Sequence, residues 1–130
     1  MENTKLRVFI SQPMSGVPTC DILNRRNELI DKIENYFETN ELKIQDSFFD
    51  TENEHVSVKN NSLYWLSRSL EILADSDVIV MATGWENSRG CRIEYECARL
   101  YDIMVIFEDT KYITQEKMLE VDNGTAPISE

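Results

Sequence analysis

The 130-residue chain has one histidine, three cysteines, four glycines, and only 13 lysines and arginines against 24 aspartates and glutamates. Each shortage excludes something. His55 alone cannot anchor a multi-histidine metal site. Cys20, Cys91 and Cys97 are odd in number and form no CxxC pair, so neither a zinc knuckle nor a disulfide framework is expected. No residue pattern calls for a metal or an organic cofactor. No apolar run approaches the roughly 18 residues of a membrane span. The apolar stretch near Met1 is too short for a signal peptide, and the expectation is a soluble cytoplasmic protein with reduced thiols. The net charge of −11 and the pI near 4.5 oppose binding of DNA, RNA or an anionic membrane, whose phosphates demand a basic face. A single small phosphorylated ligand, which needs only a few well-placed donors, is not excluded.

What is present describes a folded domain. Apolar residues make up 42% and aromatic residues 9%, too many for a disordered acidic chain. The length suits one domain, read here as residues 1–121 followed by a frayed tail over 122–130. Leu6–Ile10, Val78–Met81 and Ile103–Phe107 are continuous apolar runs, the pattern of strands covered on both faces. Leu42–Ile44, interrupted by Lys43, reads as an edge strand. Helical spacing falls over Asp21–Thr39, Ser62–Ala74 and Gly90–Tyr101, with a final helix over Tyr112–Val121. The expected core stripes are Leu63, Leu66, Leu70 and Leu73 in the second helix, and Ile93, Cys97, Leu100 and Tyr101 in the third. The acidic stretch Asp46–Glu54 reads as an exposed loop. Alternating strands and helices predict an α/β, three-layer fold with a four- to five-stranded, mostly parallel sheet. Right-handed crossovers favour the order 2-1-3-4.

In such a sheet, ligands bind beyond the carboxyl ends of the strands where the order reverses. The two loops leaving the first and third strands, Ser11–Thr19 and Thr83–Gly90, hold three of the four glycines and two of the three prolines. They also concentrate the hydroxyls of Ser11, Ser15, Thr83 and Ser88. Glycine and proline mark turns in every protein; it is the coincidence with the crevice that points to a site. Neither loop is a G-x-G-x-x-G or Walker sequence, so a dinucleotide or triphosphate cradle is not supported. Glu94, near the start of the third helix, has two readings. It is an N-terminal capping carboxylate, or a nucleophile kept ionised by the helix dipole. Glu96 reads as surface charge paired with Arg92. Arg89 and Arg92 are either exposed or phosphate ligands. Trp85 either stacks on a base or covers the sheet end, and Asp77 heads the third strand in a turn or cap.

The segments VFISQPMSG and SLEILADSDVIVMATGWENSRGCRIEYECARLYDIMVIF resemble the nucleoside 2-deoxyribosyltransferase-like family. They are especially similar to its small branch with ISGPM near the start and GWxxSxGAxxE after the third strand. The resemblance covers roughly residues 6–107. It implies a flavodoxin/Rossmann-like fold and N-glycosidic bond chemistry on a nucleoside or nucleoside 5′-monophosphate. In that chemistry the residue at Glu94 attacks the anomeric carbon, the base leaves, and a second base or water resolves the glycosyl-enzyme. Ser88 falls where nucleotide-hydrolase relatives hold the 5′-phosphate, and Arg89 or Arg92 fits that charge. The ligand-contacting set implied by the two loops is Phe9, Ser11, Gln12, Met14, Ser15, Gly16, Gly84, Trp85, Ser88, Arg89, Gly90 and Arg92, joined by Ser69. Three positions depart from the family pattern: Ser69 replaces an Asp, Phe9 a Tyr and Gln12 a Gly. The lost carboxylate and phenol leave the general acid unassigned, so the alternative is a nucleotide-binding module without turnover. The resemblance also implies a homo-oligomer, for which Tyr64 and Trp65 beside the second-helix stripe are the sequence support.

Overall fold

Strands and helices alternate along the chain in the computed structural model, which describes residues 5–37, 41–49 and 56–108. Strand β1 (Leu6–Ser11) is followed by α1 (Thr19–Phe37), β2 (Leu42–Ile44), α2 (Asn61–Leu73), β3 (Val78–Met81), α3 (Arg89–Leu100) and β4 (Met104–Phe107). One turn of 3₁₀ helix, Trp85–Asn87, leads into α3. All strand pairings are parallel, in the order β2-β1-β3-β4, with Val8 opposite Val78 and Met81 opposite Phe107. This is the flavodoxin/Rossmann-like arrangement, with four strands among the described residues. The expected helix Tyr112–Val121, the tail after it and residues 50–54 of the acidic stretch lie outside the described residues.

The continuous apolar strands divide their side chains between two cores. Val8, Ile10, Val78, Val80 and Ile106 face α1, where they meet Leu29 and Ile33. Phe9, Ile79, Met81 and Val105 face the other way, against Leu73 of α2 and Cys91 and Ala98 of α3. Chain order therefore places α1 on one face and α2 and α3 on the other. The strand order reverses between β1 and β3, and the crevice opens there.

Two polar ties hold α1 against this frame. Arg26 is buried, and its guanidinium donates to the Gln45 carbonyl and to Ser47 Oγ. Ser47 donates in turn to the Ile10 carbonyl at 3.2 Å, which fixes the segment after β2 beside the end of β1. Just past β4, Glu108 accepts from Arg25, from Lys32 at 2.8 Å and from the Thr83 N–H at 2.8 Å. Burial alone raises this carboxyl, but its three donors outweigh burial and hold it at about 2.

Two helix faces differ from the expected stripes. In α3 the buried residues are Cys91, Glu94 and Ala98, whereas Ile93, Leu100 and Tyr101 are exposed. In α2 only Leu73 is fully buried, and Leu63 is 61% exposed. The stripes were read from apolar residues at helical spacing, yet the inward face of α3 is set by small residues. Cys91 and Ala98 let the helix approach β3 and β4 closely, and bulky Ile93 and Leu100 are turned out. Glu96 pairs with Arg99 rather than Arg92.

Candidate functional site

The loops after β1 and β3 meet, with Pro13 packed beside Gly84. Gly84 has φ +94°, a left-handed conformation that glycine adopts without a Cβ penalty and that turns the chain into the 3₁₀ helix. Ser88 caps α3, its Oγ accepting from the Cys91 N–H at 3.3 Å. Asn60 caps α2, its Oδ1 accepting from the Leu63 N–H at 2.9 Å. Both helix N-termini border one cavity of about 930 Å³, a size within the range of small-molecule sites.

Glu94 lies in this cavity wall, in the second turn of α3 and only 7% exposed. It is too far along the helix to cap it. Ser11, the last residue of β1, donates to Glu94 Oε1 at 2.6 Å. The Ser69 hydroxyl of α2 also favours the ionised carboxylate, so three elements converge on one acid. Burial pushes the Glu94 carboxyl up to about 7, and the two hydroxyls offset only part of that rise. Among the described residues, no cation acts on Glu94 to counter desolvation. Cys91, one helical turn earlier, is buried against Ser11 and Ser88, and burial pushes its thiol up as well.

Of the residues singled out from the sequence, Phe9, Gln12, Met14, Ser15, Ser69, Ser88, Arg89, Gly90 and Glu94 line the cavity. Ser11 reaches it through Glu94. Four do not line it. Trp85 packs on Tyr95 and Phe107, with ring centroids 4.8 and 5.7 Å away, and so covers the sheet end. Gly84 shapes the turn beside it. Gly16 has open space around it. Arg92 lies on the outer face of α3 with Glu96 and Tyr101.

The sequence reading missed the opposite wall. Phe49 and Trp65 stack with centroids 5.3 Å apart and line the cavity with Ser47, Asn60, Asn61 and Leu66. Arg68 lies over the outer part of this pair, 5.5 Å from the Phe49 ring. A Phe-Phe pair at the edge of an acidic stretch and an Asn-Asn pair before a helix were the available signals. Among the described residues, no group of three or more His, Cys, Asp or Glu is placed to hold a metal ion. Also among them, no helix is long and apolar enough to cross a membrane.

Residues 6–107 match the family model of a domain of unknown function, DUF4406. The chain belongs to the DUF4406 family. The matched span runs from β1 to the end of β4, so the DUF4406 domain includes both loops, Glu94 and the aromatic wall. Neither the curated proteins nor the solved structures contain a match to this DUF4406 chain.

Proposed function

We propose that the protein cleaves the N-glycosidic bond of a nucleoside or nucleoside 5′-monophosphate, with Glu94 as nucleophile. The observation that carries this reading is the buried Glu94 carboxyl, held by Ser11 and Ser69 at the wall of a cavity of small-molecule size. An ionised Glu94 oxygen attacks the anomeric carbon as the carbon–nitrogen bond breaks. The bonding electron pair leaves on the base, which takes up a proton. Water then attacks the same carbon, the ester bond to Glu94 breaks, one proton is released and the carboxylate is regenerated. A second base in place of water makes the reaction a transfer. The resemblance to nucleoside 2-deoxyribosyltransferase-like sequences, on Glu94 and Ser88, supports the same chemistry.

The other walls suit the rest of such a ligand. The Phe49–Trp65 pair offers a flat apolar surface to a base. Ser88 and the exposed Arg89, at the N-terminus of α3, suit a 5′-phosphate. The exposed Ile93, Leu100 and Tyr101 on α3, with Leu63 on α2, suit a second copy of the chain.

One observation favours a second reading, a binding module without turnover. Glu94 is the cavity's only carboxylate among the described residues, and Ser69 stands where the related sequences carry an acid. A missing general acid costs roughly 10²- to 10⁴-fold in rate. The test is incubation with a panel of nucleosides and 5′-monophosphates, with free base measured by chromatography. Base release that Glu94→Ala abolishes is the expected outcome. A ligand that raises the melting temperature and is recovered intact supports the binding module instead.

A further inference from the structure

Among the described residues, one buried side-chain polar atom has no hydrogen-bond partner: Gln12 Oε1. Gln12 is 6% exposed and lines the cavity. Its orientation is set from the other end of the amide, where Nε2 donates to the Ile22 carbonyl of α1 at 3.3 Å. A carbonyl of α1 can only accept, so the amide nitrogen faces Ile22 and the oxygen faces away from it. Buried acceptors without partners are rare because each forfeits the hydrogen bonds it makes in water. An apolar side chain of the same shape would avoid that loss. The atom is therefore poised for a donor that the cavity does not itself contain.

Its position in the chain says which donor. Gln12 directly follows Ser11, whose Oγ holds the Glu94 carboxylate. Gln12 and Glu94 line the same cavity, at the end of β1, so one bound ligand can meet both. A group bound near both is the one presenting its reacting carbon to Glu94. The aromatic wall of Phe49 and Trp65 and the Ser88–Arg89 turn belong to other elements of the cavity.

We propose that Gln12 is a specificity-determining residue whose Oε1 accepts a hydrogen bond from a hydroxyl of the ligand's sugar ring. This rests on the proposed glycosidic chemistry for the sugar's place beside Glu94. Discrimination follows from the acceptor's burial: a sugar lacking the hydroxyl leaves Oε1 unpaired, whereas a sugar bearing it completes the pair.

The experiment reads affinity rather than cleavage, in the Glu94→Gln background, where the ligand stays intact. Calorimetry compares the 5′-monophosphates and nucleosides of adenosine and cytidine with their 2′-deoxy and 3′-deoxy forms, and with inosine and uridine, which lack the exocyclic amine. The expected result is about a tenfold loss of affinity for one deoxy form, a loss that disappears in the Gln12→Met, Glu94→Gln double variant. Gln12→Met alone should melt close to the wild-type temperature, since relief of the unpaired Oε1 offsets the loss of the long Nε2 bond to Ile22. Discrimination that survives Gln12→Met overturns the proposal. So does a Gln12-dependent preference for the exocyclic amine, a fall of more than a few degrees in melting temperature with discrimination unchanged, or binding by none of these ligands. Absence of base release with the Gln12-dependent hydroxyl preference intact would instead remove the cleavage reading and leave this one standing.

Discussion

Glu94 and Glu108 are both buried acids near the carboxyl ends of the central strands, on opposite faces of the sheet, and they are treated in opposite ways. The Glu108 side chain is 3% exposed and meets Arg25, Lys32 and the Thr83 N–H, which hold it at about 2. Glu94 is 7% exposed and meets only hydroxyls, so burial takes it up to about 7. Glu108 ties α1 to the ends of β3 and β4 and has no spare reactivity. Glu94 is left close to half-ionised at neutral pH, facing a cavity. Burial alone does not single out a candidate acid; burial without a compensating cation, beside open space, makes Glu94 the candidate.

The largest effect that sharpens this contrast is on rate. A nucleophilic Glu94 must be ionised, so kcat/KM should rise by about a hundredfold between pH 5 and pH 8, with its midpoint near 7. A pH-rate profile for base release measures this. A profile that falls over the same range would make Glu94 an acid donor rather than a nucleophile.

Next in size is stability. Glu94 has a folded pKa above its unfolded value near 4.5, so its contribution is fully present below about pH 4.5 and is lost as pH rises through 7. Glu94→Gln keeps an acceptor for Ser11 without the buried charge. It should therefore be more stable than wild type by about 3 kcal/mol at pH 8, and nearly equal to it at pH 4.5. Thermal melts at the two pH values compare them, and a lower melting temperature at pH 8 would contradict the uncompensated burial.

The smallest effect has the opposite sign. Glu108 has a folded pKa below its unfolded one, so its contribution is present above about pH 4.5 and is lost as pH falls through 2. Glu108→Gln should lose about 1–2 kcal/mol at pH 7, discounted because Lys32 is exposed and Arg25 half-buried. The gap to wild type should narrow below pH 4.5. Equal melting of the two proteins at pH 7 would break the comparison.

Much of this was legible in the sequence. The apolar runs marked β1, β3 and β4, the Lys43-broken run marked an edge strand, and the order of elements predicted the sheet order. Glu94, Ser11, Ser69 and Ser88 stand out in the sequence, and the fold brings them to one cavity. What was not legible depended on side-chain size and distant partners. Helical periodicity put Ile93 and Leu100 inward, but close packing of α3 selects Cys91, Glu94 and Ala98. Trp85 had two readings in the sequence and Trp65 was read only as support for an oligomer, and distant partners decide both. Trp85 is claimed by Tyr95 and Phe107, and Trp65 stacks on Phe49 at the cavity. Arg26 and Gln12 are polar residues in an acidic, surface-rich chain, and nothing local announces that either is buried.

The sequence by itself determined the elements, their parallel pairing and the two loops that border the crevice, because hydrophobic runs and turn residues act over a few positions. Only the tertiary structure decided which acid is neutralised by cations and which is left unpaired. The Ser11–Glu94 bond spans 83 positions along the chain and the Arg25–Glu108 pair also 83, yet one joins an acid to a hydroxyl and the other to a cation. Separations of that length carry no local pattern. The ionisation of each acid is set by solvent exclusion and neighbouring charge, which exist only once the chain has folded.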